Sequence, residues 1–292
     1  MNAAPNALEI PRGELPRRPL GRTGHDVTLF ALGGEGVLRT HGRAAEAVAA
    51  IERALDLGVN YCDTAPAYAS SMDYYGAALG SRRRDVFLAS KTADRTRDGS
   101  LRILDDSLRR LRTDHLDLWQ LHDLRTMSEL DTIFSKRGAI HALTAAREQG
   151  RVRHLGLTGH HDPAVLLEAM RRFDFDTVLV ALNVADDHRL SFARSVVPDA
   201  ARRGMGVIGM KVFAAGSLVA PGGLCSPAEA MHYVLSLAGV STVIIGCRTP
   251  AEVEANVRAA IEFRPMFEDT KLILEHQSKP RAAEFTSYKR IG

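Results

Sequence analysis

The amino-acid sequence predicts an α/β protein, a (β/α)8 TIM barrel with an N-terminal β-hairpin and a C-terminal helical tail. Three observations predict it. Eight short runs of four to six residues, continuously apolar, alternate with longer segments of helical period. Such runs suit parallel strands covered on both faces rather than a sheet with one wet face. Gly58, Gly150 and Gly204 each close a periodic stretch just before the next apolar run, as glycine does past a helix end. No break in composition divides the chain, so eight strand–helix units argue for closure over an open doubly wound sheet.

The elements follow in order. Residues 1–17, rich in Pro, Asn and Ala, read as an N-terminal lead-in, and residues 18–292 as a single barrel domain. Two β-prone pieces flank a turn at Arg22–His25, the pattern of a small hairpin. Core strands are expected at Leu29–Leu32, Val59–Cys62, Val86–Ala89, Leu116–Leu121, Val152–Leu157, Thr177–Leu182, Gly206–Met210 and Thr242–Ile245. Helices are expected at Ala44–Leu57, Met72–Leu79, Leu101–Leu111, Ile140–Gln149, Pro163–Arg172, Val196–Arg203, Pro227–Leu237 and Ala251–Ala260, with Met266–Gly292 an added helix and tail. Glu35–Arg43 and Leu124–Gly138 read as loops beside the strand ends. In the second of these, Arg125, Lys136 and Arg137 fit an acidic or polar substrate, although solvated charge explains them as well. The dinucleotide fingerprint GxGxxG is absent after the first strand, where Gly33-Gly34-Glu35-Gly36 has the wrong spacing.

Composition limits the partners. Of 292 residues, 45% are hydrophobic and 25% charged, the balance of a globular protein with a large core. A net charge of +3, with arginines spread along helices, argues against nucleic acid as a partner. Cys62, Cys225 and Cys247 form neither a CxxC pair nor an even disulfide set, which favours a reduced, cytoplasmic setting. The first residues carry no apolar core of signal-peptide length, and no apolar run approaches a membrane span. No membrane partner is expected, and no sequence feature sets an oligomeric state.

Chemistry in such a barrel collects at the C-terminal ends of the strands. The second core strand ends VNYCDTAPAY and brings Asp63 to the rim with Tyr68 just beyond; the third ends at Lys91 and the fourth at His122. Taken singly, an Asp after a strand is most often a cap or turn former, and a rim Lys or His most often meets solvent or backbone. Three adjacent strands delivering Asp, Tyr, Lys and His to one patch favour function. Those groups suit reduction of a carbonyl, which needs a hydride at carbon and a proton at oxygen. A phenol with pKa about 10 is a poor acid near neutrality. An ammonium at about 4 Å favours the phenolate by about 4 kcal/mol at an effective dielectric near 20, close to three pKa units. Asp63 holds Lys91 charged and in place in this scheme while moderating its pull on Tyr68, and His122 orients the carbonyl oxygen.

These residues carry a resemblance. GVNYCDTAPAY, Ser90-Lys91 and LDLWQLHD resemble the signature segments of the aldo-keto reductase family, in a divergent form, with likeness from Arg18 to about Ala260. The resemblance implies catalytic positions at Asp63, Tyr68, Lys91 and His122. It also implies NADP(H) lying across the C-terminal face, with NAD left open, and a small-molecule carbonyl substrate. On the cofactor side it points to Gly34, to Thr158 and Gly159 where the family has GVSN, and to Met210, Lys211 and Phe213 within GVIGMKVFAAG. Gly246, Arg248, Glu252 and Asn256 fall in the segment that holds the adenosine phosphate. Thr158 replaces the family's serine, Gly159 its asparagine, Leu179 a glutamine and Met210 a stacking aromatic. Lys211 is placed to meet the pyrophosphate, Arg248 to read a 2′-phosphate, and Glu252 stands where an arginine is common.

Two other readings are carried forward. A cofactor-binding regulatory barrel with little turnover is compatible with the altered carboxamide contacts. A metal-dependent barrel hydrolase would draw on His122, His160, His161 and Asp63. Against it, the first strand ends Leu32-Gly33-Gly34 with no HxH pair, so no metal is expected.

Overall fold

The computed structural model describes residues 14–289. Residues 1–13 of the expected lead-in lie outside the described residues. At its end, Leu15 is buried against the core and Arg17 opens the first strand. Strand β1 (Arg17–Pro19) pairs antiparallel with β2 (Asp26–Thr28), Arg18 opposite Val27. This is the hairpin read from the sequence. Its Leu20 and Val27 pack with Ala31, Tyr61 and Phe87 and close the floor of the barrel. Gly206 lets the hairpin approach, because a Cβ there would lie 2.7 Å from Leu20 Cδ1.

Eight parallel strands follow: β3 (Phe30–Gly36), β4 (Tyr61–Asp63), β5 (Phe87–Thr92), β6 (Leu116–Leu121), β7 (Val152–Gly159), β8 (Thr177–Ala181), β9 (Gly206–Met210) and β10 (Val240–Cys247). They neighbour one another in chain order, and β10 pairs with β3 to close the barrel. Strands β6 and β9 match their expected bounds. Strand β5 runs to Thr92, so Lys91 sits inside the ladder, opposite Gln120, rather than past its end. The period of two sends Tyr61 and Asp63, Phe87, Ala89 and Lys91, and Leu118 and Gln120 toward the barrel axis. The lower members form the apolar interior, and the polar members lie above them.

Helices α1 (Ala44–Asp56), α2 (Ser71–Ala78), α3 (Arg97–Leu111), α4 (Met127–Ile133), α5 (Ala139–Glu148), α6 (Pro163–Arg172), α7 (Phe192–Arg202), α8 (Pro227–Leu235) and α9 (Pro250–Ile261) surround the strands. Caps explain where several begin. Thr96 accepts from the Gly99 N–H, so α3 starts four residues before the expected Leu101. Ser191 does the same for α7 by accepting from Arg194. Helix α4 lies within the segment read as a loop. Thr126 accepts from the Glu129 N–H while Glu129 accepts from the Thr126 N–H, a capping box whose T-x-x-E spacing was visible in the sequence.

The C-terminal segment forms α10 (Glu268–Ser278) and α11 (Ala282–Phe285), then folds back; residues 290–292 lie outside the described residues. Lys289 is fully buried. Its ammonium pairs with the Asp186 carboxylate and donates to the Arg189 carbonyl at 2.8 Å and the Leu190 carbonyl at 3.2 Å. Next to it, Asn183 Nδ2 donates to the Tyr288 hydroxyl at 2.8 Å. The tail is thus latched to the loop after β8. No helix among the described residues is long and apolar enough to cross a membrane.

Removing one member of a buried ion pair strands the other charge, at roughly 3–5 kcal/mol. Lys289→Ala is therefore expected to lower the unfolding free energy by about that amount in urea titration. The double variant Lys289→Met with Asp186→Asn should recover much of the loss. A single-variant cost under about 1 kcal/mol would mean that the latch bears no weight.

Candidate active site

Four side chains predicted from sequence converge above the apolar interior. Asp63 ends β4 and is fully buried, as is Lys91 of β5. The Lys91 ammonium pairs with Asp63 Oδ1 and donates to the Thr64 carbonyl at 2.9 Å. Gln120 of β6 donates to Asp63 Oδ2 at 3.2 Å. Gln120 is a rim residue that the sequence reading missed, although it stands two places before His122 and so on the same face of the strand. Lys91 Nζ lies 4.9 Å from the centroid of the Tyr68 ring. The His122 ring meets Tyr68 edge-on, with centroids 5.9 Å apart and planes at 85°. Arg39 lies over the same Tyr68 ring at 5.2 Å.

Backbone geometry makes room for this cluster. A Cβ on Gly34 would lie 2.7 Å from Ser71 Oγ and 2.8 Å from Tyr68 Cδ2. Glycine at 34 therefore seats the tyrosine against β3, which adds a packing role to its expected cofactor position. The His122 N–H donates to the Thr92 carbonyl at 2.8 Å and ties the two strand ends together.

The electrostatics correct one expectation. An unmoderated ammonium would pull the Tyr68 pKa down by about three units, but burial outweighs the pull of Lys91 and Tyr68 stands above its ordinary value. The carboxylate on Lys91 explains why the pull is weak: the ammonium presents itself to the phenol already paired. Burial disfavours the Lys91 charge, yet the Asp63 carboxylate prevails and keeps the lysine protonated, its pKa raised. Burial, with the Lys91 charge adding to it, lowers His122 to about 3. The imidazole is neutral at physiological pH and can hydrogen-bond a carbonyl without carrying charge.

The cofactor-side residues are spread around the same rim. Thr158 of β7 is buried; its hydroxyl accepts from the Asp123 N–H at 2.8 Å and retains its own proton to donate. Gly159 has no space for a side chain, since a Cβ would lie 2.9 Å from Leu166 Cδ2 and 3.0 Å from the Leu124 carbonyl. A larger side chain there would have to displace Leu166 and press on the Leu124 carbonyl. Met210 is half-buried at the end of β9 and packs on the barrel interior, whereas Phe213 packs on the outer core. Lys211 adopts a left-handed backbone at φ +59, and its carbonyl accepts from Asn183 Nδ2 at 3.2 Å. Gly246 meets β3 closely, a Cβ being 2.6 Å from that of Glu35. Asn256 is buried and donates to Cys247 Sγ at 3.3 Å. Arg248 is exposed and paired with Glu252, whose carboxylate accepts from the guanidinium at 2.8 Å and from the Arg248 N–H at 2.7 Å.

Two further positions bear on the sequence reading. Leu179 lies inside the barrel with Ala31 and Leu118. The polar side chain beyond β8 is instead Asn183, bonded to Tyr288 and Lys211. The metal-ligand set His122, His160, His161 and Asp63 does not assemble as imagined, because the Asp63 carboxylate is bound by Lys91 and Gln120. The two histidines instead face Asp123.

Comparison with known proteins bears on this geometry. Residues 30–222 match the model of the Aldo/keto reductase family. The chain belongs to that family. Among curated relatives, L-galactose dehydrogenase of Arabidopsis thaliana is 27% identical, covering 88% of this chain and 92% of its own. Pyridoxal 4-dehydrogenase of Microbacterium luteolum is 26% identical, covering 82% and 92%. A solved structure described as an aldo-keto reductase from Pseudomonas aeruginosa is 28% identical, covering 84% of this chain and 94% of that one, with a TM-score of 0.71. This aldo/keto reductase is accordingly an NAD(P)-dependent oxidoreductase acting on carbonyl-type substrates.

Gly34→Ala should push Tyr68 off its seat. A displacement of about 1 Å near reacting groups costs on the order of a hundredfold, so kcat/KM is expected to fall by roughly ten- to a hundredfold while the far-UV spectrum stays native. Unchanged turnover in a folded Gly34→Ala variant would show that Tyr68 is not held there for catalysis.

Proposed function

We propose that the protein reduces a small aldehyde or ketone to an alcohol, with Tyr68 giving the proton to the carbonyl oxygen. The observation that carries this reading is the meeting of Tyr68 with Lys91 and with the neutral imidazole of His122 over one buried carboxylate. When bound, the nicotinamide supplies the hydride to the carbonyl carbon. His122 hydrogen-bonds the carbonyl oxygen and sets it within reach of the Tyr68 hydroxyl. As the proton leaves, Lys91 stabilises the phenolate, and Asp63 keeps that ammonium charged and in place. A Tyr68 pKa raised by burial keeps the phenol protonated until a substrate oxygen develops charge.

The residues present fit a nicotinamide dinucleotide. Thr158 offers a hydroxyl proton at the rim, half-buried Met210 can pack on a flat ring, and side-chain-free Gly246 precedes the N-terminus of α9, which favours an anion. We propose NADP(H) as the cofactor, with Arg248 meeting the 2′-phosphate and NAD(H) also accepted. Glu252 competes for the same guanidinium, which supports weak discrimination between the two.

Tyr68→Phe is expected to cut turnover by roughly a hundred- to ten-thousandfold while cofactor affinity, read by fluorescence quenching, hardly moves. Oxidation of bound NADPH on adding aldehydes or keto acids separates a reductase from a slow regulatory barrel. Near-normal reduction by Tyr68→Phe would remove the assigned acid.

Arg248→Ala should weaken NADPH more than NADH. Glu252→Gln, by releasing the guanidinium, should tighten NADPH by about fivefold, the scale of one exposed ion pair. Equal effects on the two cofactors in binding titrations would take the phosphate role from Arg248.

A further inference from the structure

A second constellation on the same rim is not used by the proposed reaction. Asp123 directly follows His122, and His160 and His161 directly follow β7. Asp123 Oδ1 lies 3.2 Å from His160 Nδ1 and 3.4 Å from His161 Nε2, and one ligand atom from each residue lies within 4.8 Å of the others. The second carboxylate oxygen is taken by Arg125, whose Nη2 and Nε donate at 2.6 and 2.8 Å. Oδ1 itself is sealed from solvent and accepts no hydrogen bond among the described residues.

Donors that sit about 2.0–2.1 Å from a tetrahedral ion are about 3.3–3.4 Å from one another. The separations of 3.2 and 3.4 Å lie close to that edge length, with the orphaned oxygen as the shared corner. We propose that Asp123, His160 and His161 bind a divalent transition-metal ion, Zn2+ or a first-row neighbour, at the mouth of the barrel. Two imidazoles and one carboxylate suit such an ion and not Mg2+ or Ca2+, which prefer oxygen ligands.

The surroundings support the assignment and set its strength. The Asp123 backbone is held at φ +54 while its N–H is bonded to Thr158, so the carboxylate is aimed across to β7. Arg125 is the outer partner that orients it. The charges of Arg125 and Lys211 both act on His160 and oppose a further cation. Affinity is therefore expected to be weaker than that of a structural zinc site.

The cluster borders Thr158 and Lys211 of the proposed cofactor side, so the experiment reads metal binding directly and without turnover. The full chain, stripped with a chelator, is titrated with Co2+ and followed by visible absorption, then back-titrated with Zn2+. Saturation at one equivalent is expected, with the intense bands of low-coordinate Co2+ that Zn2+ abolishes. Asp123→Asn and His161→Ala should each weaken binding by at least about tenfold, and Arg125→Ala by less. Should a variant not fold, X-ray absorption of the Zn2+-loaded wild type supplies the count of imidazole ligands, and two are expected. Binding weaker than about 1 mM, binding that survives loss of both Asp123 and His161, or a spectrum without imidazole overturns the site. None of those results touches the role of Tyr68.

Discussion

An ammonium and a carboxylate, Lys91 and Asp63, sealed from water against each other, set the terms for everything at the mouth of this barrel. Taking both charges out of water costs several kcal/mol per ion, and the site offsets that cost locally. The Thr64 carbonyl takes a second proton of the ammonium, and Gln120 donates to the second carboxylate oxygen. Neither partner can leave without stranding the other. The pair is thereby a fixed point against which the softer members, Tyr68 and His122, are positioned. Its near neutrality also explains why Tyr68 is not forced into the phenolate by its neighbour.

The barrel makes such a pair affordable because register, rather than side-chain flexibility, brings the groups together. Asp63 pairs across to Ala89, and Lys91 to Gln120. The staggered parallel ladder therefore lifts each of the three polar side chains to a similar height above the apolar interior. The hairpin closes the opposite end with Leu20 and Val27. The apolar interior fills the space below, and the buried polar groups gather at the other face.

A second buried lysine–aspartate pair, Lys289 with Asp186, does for the tail what the first does for the site. It brings Tyr288 to Asn183 and sets its ring 5.9 Å from that of His160. Tyr288 therefore touches the rim beside the Asp123–His160–His161 cluster and contributes to the surroundings of the candidate site. Nothing local in the sequence near residue 289 announces this, since an isolated lysine in a polar tail normally faces solvent.

The sequence alone determined the fold class, the hairpin, nearly every strand and helix, and the grouping of Asp63, Tyr68, Lys91 and His122. These are legible because they rest on local periodicity and on which strand end carries which residue. Even helix α4 was there to be read in Thr126 and Glu129. Only the tertiary structure decided which groups neutralise one another: Gln120 on Asp63, Glu252 on Arg248, Asp186 on Lys289 and Asp123 between two histidines. It also decided that burial, not the ammonium, governs the Tyr68 phenol, and that Leu179 is interior while Asn183 holds the rim. The reason is physical. Desolvation and ion pairing depend on distances between residues far apart in the chain, and those distances exist only once the barrel has closed.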